Sequence, residues 1–535
     1  VGGAWGSAAL AQRVSRTALA VTVLIALAGH LVFLANAGGL WRDEANTVAF
    51  AQMPSLPVIW AHLRFDSVPL LSTMLVRAWL GLGLGSDGAL RVLGCLIGCA
   101  ILIALVLSAR VFRASLPVCS LLMLALNAWA IRGGDSIRPT GVGMLFIVLS
   151  FASLAAALQR PSPGRTALAA IFATLSVQSL YLDIPLVAGI SVGGMAVGLV
   201  TRSKVRTLIS AGVGAVAALS LVPYLPAFRA ANEWAPLVQA GSEPRQFLVA
   251  FREAAAPDAW IWMVILMAGV FVAAGRALRE APSGAESDRT FSIYAGVTWI
   301  SATVAIAVFW LWSQLALQPW YFLPWMALAA AAADAAIGPA LRPARRQILA
   351  GGILIAAAAF HFVIGLGALE RRQTNVDLIA EKLHEAARPG DLVLVNPWYL
   401  GIPFSRYHQG LPNWMTVPPL SDTRIHRFDL LKQAMKDPGV TDSAVAAVNE
   451  TLRRGGTVWL VGAPRRVRGA IPTHAPRAPA PGLGWSVNAY TDLWSSIVLE
   501  AVREHADRFE QVPIPSEHGI NPRELELLFK ASGWH

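Results

Sequence analysis

Arg42, Asp43 and Glu44 stand side by side in LWRDEANTVAF, directly after about twenty apolar residues, and Asp66 follows in FDSVPLL. A carboxylate can take a proton from a hydroxyl at neutral pH, so acids delivered to one surface are candidates for general-base work. Arg132 and Arg138 bracket RGGDSIRPT, and Arg64 lies two residues before Asp66. A guanidinium matches a pair of phosphate oxygens in geometry, which makes Arg138, at a predicted helix start, the candidate phosphate ligand and Arg64 its companion. Each residue also has a plainer reading. Asp is a favoured N-cap, acids in a first turn complement the helix dipole, and Asp66 could cap a helix beginning near Val68. Tyr321, beside Trp320 in QPWYFLPW, fits an interfacial aromatic belt as well as a binding role. Spacing leaves these alternatives open. A divalent cation is compatible with the acids, but no His/Cys cluster demands one and no metal ligand is assigned.

The elements that must position these groups follow from composition. The chain has 535 residues, of which 55% are hydrophobic and only 14% charged, against roughly a quarter charged in soluble domains. That balance belongs to a polytopic membrane protein. Apolar windows long enough to cross about 30 Å of hydrocarbon fall near 17–37, 86–109, 115–132, 138–158, 165–182, 184–201, 206–226, 259–276, 291–314, 320–338 and 347–368, about eleven spans. The net charge of +11 does not point to nucleic acid, because its arginines and lysines gather in alternate short loops. Arg13 and Arg16 place the N-terminus in the cytoplasm, with Arg110 and Arg113, Arg160 and Arg165, Arg202 to Arg206, Arg276, Arg279 and Arg289, and Arg342 to Arg346 on the same side. LWRDEANTVAF and everything after residue 368 then face outward from the plasma (inner) membrane. Ala35-Asn36-Ala37 imitates a signal-peptidase site, but the apolar run before it is longer than a usual signal core, which favours a retained first helix.

Two domains result: a membrane domain over 1–368, containing a large first outer loop at about 38–85, and a C-terminal outer domain over 369–535. In the loop, EANTVAFAQ and VPLLSTMLVRAWLGLGL read as helices lying on the interface, with Trp60 and Trp79 as anchors. A second outer segment, about 227–258, is mixed in charge. The C-terminal domain reads as α/β, with a helix through VDLIAEKLHEAA, buried strands in RPGDLVLVNPW and RRGGTVWLVGAP, and a helix through SSIVLEAVREHADRFEQ. Its tryptophans, Trp398, Trp414, Trp485 and Trp494, suit core packing or sugar stacking. All three cysteines, Cys95, Cys99 and Cys119, fall in predicted spans, which leaves no disulfide framework outside.

An apolar span followed by an outer Asp-Glu pair, then an Asp-x-x-Pro-Leu segment leading into LLSTMLVRAWLGLGLGSDGALRVLG, resembles the C-type glycosyltransferases that use polyprenyl-phosphate sugars. Within them it is most similar to the protein O-mannosyltransferase and lipid A aminoarabinose transferase branch. SIRPTGVGMLF resembles the Arg-Pro-Tyr-Ala-Leu segment of that group, with Arg138 as its arginine, and WYFLPWMALAAA its Arg-Tyr-Leu-Leu-Pro segment, with Tyr321 as its tyrosine. The likeness spans most of 17–340. It implies a mainly α, polytopic bundle with interfacial helices, Asp43 as catalytic base supported by Glu44, and Asp66, Arg138 and Tyr321 as substrate ligands, with Arg64 added as a second cation for the departing phosphate. The implied donor is a polyprenyl-phosphate sugar, and the acceptor a glycolipid, glycan or protein hydroxyl. Departures are Asp66-Ser67-Val68-Pro69 where relatives often show Asp-x-His-Pro-Pro, lacking the histidine and one proline, Thr140 for tyrosine and Trp320 for arginine. The competing class is a transporter or lipid flippase with outer acids as gates; spans nearly free of central charge favour the enzyme.

Overall fold

The computed structural model describes residues 2–66, 68–239, 243–256, 259–278, 286–410, 413–463 and 465–535. Ser67, Arg279 and part of the 227–258 segment lie outside the described residues. Where the sequence offers a backbone no water, a helix satisfies its amides internally. Among the described residues, eight helices are long and apolar enough to cross a bilayer: Ala8–Asn36, Asp87–Val111, Pro139–Gln159, Tyr181–Val200, Lys204–Ala231, Asp288–Ser313, Pro319–Leu341 and Ala344–Leu369. Their starts follow local chemistry. Ser86 and Ser203 accept the amides of Ala89 and Arg206, and Pro139 opens its helix at N1, where its missing N–H costs nothing.

The remaining three windows fare differently. Window 165–182 forms the 17-residue helix Pro163–Ser179, and 259–276 falls within Ala259–Leu278. Window 115–132 is not one helix. It breaks into Val118–Ser120, a π-helical turn at Leu121–Ala125 and Ala128–Gly134, the last capped by Asn127 accepting the Ala130 amide.

The chain divides into two compact units. The helical unit comprises Val1–Ala35, Val68–Leu225 and Ala240–Glu370, and the α/β unit Asn36–Ser67, Pro226–Gln239 and Arg371–His535. The first half of the predicted outer loop is therefore grouped with the C-terminal residues.

In the helical unit, the expectation of spans nearly free of central charge needs correction, since His30, Arg91 and Asp334 are buried within spans, Asp183 near the start of one and Asp135 beside them. RGGDSIRPT is likewise not a surface loop, since Gly134 to Ile137 are enclosed. His30 Nδ1 lies 2.8 Å from both carboxylate oxygens of Asp135. Asp334 accepts the amides of Cys119 and Ser120 at 2.8 and 2.9 Å, and Asp183 the Ser176 hydroxyl at 2.7 Å. Each of these three acids meets a hydrogen-bonding partner inside the bundle, the condition under which buried charge is tolerated.

The α/β unit is built on a five-stranded sheet: β1 (Leu392–Val395), β2 (Trp414–Thr416), β3 (Val458–Val461), β4 (Arg508–Val512) and β5 (Leu528–Ser532), in the order β2-β1-β3-β5-β4. β1 runs parallel to β2 and β3, while β5 runs antiparallel to β3 and β4. The uninterrupted apolar runs LVLV and VWLV bury every residue, as central strands covered on both faces require. Leu392, Leu394, Val458 and Leu460 face the Asp442–Arg453 and Val487–His505 helices, with Trp398 and Trp494 in the same core. Val393, Val395, Trp459 and Val461 face the Val376–Ala386 helix. The predicted helix through SSIVLEAVREHADRFEQ ends at His505. Ala506 turns extended, and RFEQV becomes β4 because β5 offers it a full antiparallel ladder.

Close packing around the His30–Asp135 pair depends on glycine. A Cβ on Gly94 would lie 1.8 Å from the Asp135 carbonyl oxygen, whereas one on Gly81 would meet nothing within 4 Å. Gly94→Ala should therefore destabilise the solubilised protein by about 1–3 kcal/mol, seen as a lower melting temperature. Gly81→Ala should melt close to wild type, and equal melting of the two variants would contradict this packing.

Candidate functional site

The Arg42–Ala51 helix begins at the acid pair and divides its labour. Trp41 is the N-cap residue, and Glu44, at N3, accepts the Trp41 amide at 3.3 Å. Glu44 is 0% exposed, so the capping role weighed for Asp43 falls to its neighbour. Asp43 keeps a side chain 17% exposed and meets His426 Nε2 at 3.2 Å through Oδ1.

Arg42 lies in a nest of acids. Its Nε is 3.7 Å from Asp43 and 3.4 Å from Glu524, and its guanidinium covers the Tyr399 ring at 4.7 Å. Glu524 and Glu526 arrive on a C-terminal segment pinned by Asn375, which accepts the Glu526 amide at 2.9 Å and donates to its carbonyl at 2.8 Å. Burial pushes the Glu524 carboxyl up to about 8 against the pull of Arg42, with Asp43, Glu526 and Glu44 adding repulsion. Burial likewise pushes Glu526 up to about 7, against Arg42 and Arg465. Burial works against the Arg42 charge too, but Glu524, Asp43, Tyr399 and Glu526 together raise it above its ordinary value. Arg42 therefore stays protonated while Glu524 holds a proton through neutral pH.

Asp66 joins the same network. Asn46 donates to Asp66 at 3.2 Å and accepts the His426 backbone amide at 3.0 Å. Asp66 does not cap a helix near Val68. It ends the short Leu63–Phe65 turn, and the next helix starts at Leu70 behind Pro69. Arg64 lies over the Phe65 ring at 4.7 Å, and Arg427 over the same ring at 4.6 Å. A cavity of about 490 Å³ in this unit is lined by Ala45, Val48, Ala49 and Gln52 with Ser405, Arg406 and Arg424. At 100° per residue those helix positions share one face, and Asp43 lies on the other.

In the helical unit, the two segments SIRPT and QPWYF meet. Arg138 sits at the N-cap position of Pro139–Gln159, with its guanidinium 5.4 Å from the Trp320 ring centroid. Tyr321 packs edge-on to Trp320 and against the cluster of Val68, Leu180 and Leu182. Thus Asp43, Glu44, Arg64 and Asp66 occur in one unit, and Arg138 and Tyr321 in the other. Among the described residues, no group of three or more His, Cys, Asp or Glu is arranged to hold a metal ion.

His426, Asn46, Glu524, Glu526 and Arg427 were not singled out from sequence. The available signal was RIHRFD, a histidine set among alternating charges in an otherwise apolar chain.

No family model and no curated protein sequence matches the chain. Among solved structures it is similar to the crystal structure of ArnT from Cupriavidus metallidurans bound to undecaprenyl phosphate. The TM-score is 0.50 at 14% identity, over 96% of this chain and 97% of that one. A mainly α bundle is the fold that the resemblance to C-type glycosyltransferases implied, and the small sheet is the one read from the C-terminal apolar runs.

The raised carboxyls carry a pH prediction. Folded Glu524 and Glu526 bind protons that the unfolded chain releases near its ordinary 4.5, so stability is fully present below that pH. It should be lost as pH rises through about 7 and 8, with the melting temperature falling over pH 5 to 8.5. Glu524→Gln, which cannot ionise, should flatten that slope; an unchanged slope would place the proton elsewhere.

Proposed function

We propose that the chain is an integral-membrane glycosyltransferase of the plasma (inner) membrane. It moves a sugar from a polyprenyl-phosphate donor to an acceptor hydroxyl on a glycolipid, glycan or protein at the outer face. The N-terminus is cytoplasmic and the α/β unit extracytoplasmic. The observation that carries this reading is the fold, shared over nearly the whole chain with a structure bound to a polyprenyl phosphate. It is supported by the positive charge of alternate loops and by an acid of intermediate exposure at the first-loop helix.

A sugar held through phosphate already has an activated leaving group, so the protein must supply a base for the acceptor and cations for the departing phosphate. Asp43 takes the hydroxyl proton as the acceptor oxygen bonds to the anomeric carbon. The carbon–oxygen bond to phosphate breaks in the same displacement, and the polyprenyl phosphate leaves with the electron pair, inverting the centre. Glu44, enclosed and capping the helix, supports Asp43 rather than replacing it. Arg138, backed by the Trp320 face, and Arg64 are the phosphate ligands, with Asp66 and Tyr321 completing substrate binding.

Mass analysis of envelope lipids and glycans in a deletion strain tests this. Wild type should restore a sugar modification, while Asp43→Asn should lose it by at least about 10²-fold with accumulation of the lipid-linked donor. Arg138→Ala should reduce it by about 10-fold or more, the cost of one lost charge-assisted contact. Full rescue by Asp43→Asn would overturn the assignment of the base.

A further inference from the structure

We propose that His426, supplied by the C-terminal part of the chain, is the positioning residue for the Asp43 carboxylate. The inference rests on Asp43 acting as the base, and it gives the α/β unit a part in the reaction.

Three observations point the same way. His426 Nε2 is 3.2 Å from Asp43 Oδ1, across 383 positions of sequence. Its backbone amide donates to Asn46, one helical turn from Asp43, and Asn46 in turn holds Asp66. The ring is clamped: Phe428 stacks on it at 5.7 Å and 12°, and Trp398 meets it edge-on at 6.3 Å. A ring held by both its backbone and its faces cannot turn to follow the carboxylate, so the carboxylate must orient to the ring.

The buried Nδ1 of His426 has no hydrogen-bond partner among the described residues. A bare lone pair in that position is less costly than an unpaired N–H, so Nε2 carries the proton and donates it to Asp43. That hydrogen bond fixes the rotation of the carboxylate, the geometry a general base needs at the moment of attack.

The segment holding His426 is itself braced. Arg427 donates to Asp429 through two nitrogens at 2.9 and 2.8 Å and to Asp422 at 3.1 Å, while its guanidinium lies on Phe65. Burial works to raise both aspartates, but Arg424 and Arg427 contacts at Asp422, and Arg427 contacts at Asp429, bring each below the usual carboxylate range. The clamp therefore holds with both acids ionised.

A ring that serves packing alone gives the opposite ranking of variants from one that orients a carboxylate. His426→Phe keeps the stack and loses the Asp43 contact, whereas His426→Gln keeps a donor and loses the stack. The two, with Asp43→Asn alongside, are assayed as full-length protein in membranes with the polyprenyl-phosphate sugar isolated from the deletion strain. His426→Phe should lower kcat by about 10- to 100-fold with KM for the lipid donor unchanged, and His426→Gln should recover most of that loss. A His426→Phe enzyme with wild-type turnover, or one more active than His426→Gln, overturns the inference. Asp43→Asn separates the failures: if it is inactive while His426→Phe is active, only the histidine assignment falls, and if it is active, the base assignment falls first.

Discussion

Arg42 placed among Asp43, Glu524 and Glu526 is the interaction on which the α/β unit depends. The guanidinium is part-buried, with its side chain 28% exposed, and burial holds the Glu524 and Glu526 carboxyls toward their protonated forms, which lessens the charge the cluster must enclose. Because the acids come from the first loop and from the last strand connection, their joint burial ties the helix at 42–51 to a sheet built from residues beyond 390. The Asn375 bonds to the Glu526 backbone hold the acid-bearing segment in place for the arginine. A small sheet with two fully apolar central strands supplies the rigidity, and the charge cluster supplies the register.

The helical unit solves a related problem with smaller means. Glycines at 94 and 98 bring the Asp87–Val111 helix against the segment carrying Asp135, and the approach is close enough that any side chain at either position would collide. That closeness accompanies the direct 2.8 Å contacts of His30 with both carboxylate oxygens of Asp135. It also fixes the backbone that leads into Arg138, three residues on. Trp320, at the position where the resemblance implies an arginine, has its ring centroid 5.4 Å from the Arg138 guanidinium carbon.

Long apolar runs were legible from sequence, because a membrane leaves a backbone few alternatives. The central strands were legible for the same reason, since LVLV and VWLV can only be interior. What failed did so where tertiary partners override local pattern. RFEQV continues a helical periodicity yet forms β4, because β5 provides a ladder that no local signal reveals. Window 115–132 is apolar enough to span but is interrupted at the Asn127 cap. Of the candidate site, the first-loop acids and the Arg138 and Tyr321 segments are proposed from neighbouring residues. RIHRFD marks His426 only as a charged segment, and nothing local marks Glu524, because their contacts with Asp43 and Arg42 span hundreds of positions.

The acid pair shows why adjacent identical chemistry need not mean redundancy. At N2 and N3 of one helix, Asp43 and Glu44 point about 100° apart, so a single helix start sorts them into different environments. The longer glutamate reaches back to the N-cap amide and disappears into the interior. The shorter aspartate cannot make that bond from its position and turns instead toward His426. Were the order reversed, the capping geometry would favour an aspartate at N3 less well, and the longer acid at 43 would gain rotamers that one hydrogen bond could not fix. The order Asp then Glu therefore gives the helix its cap and gives the exposed carboxylate the fewest ways to move.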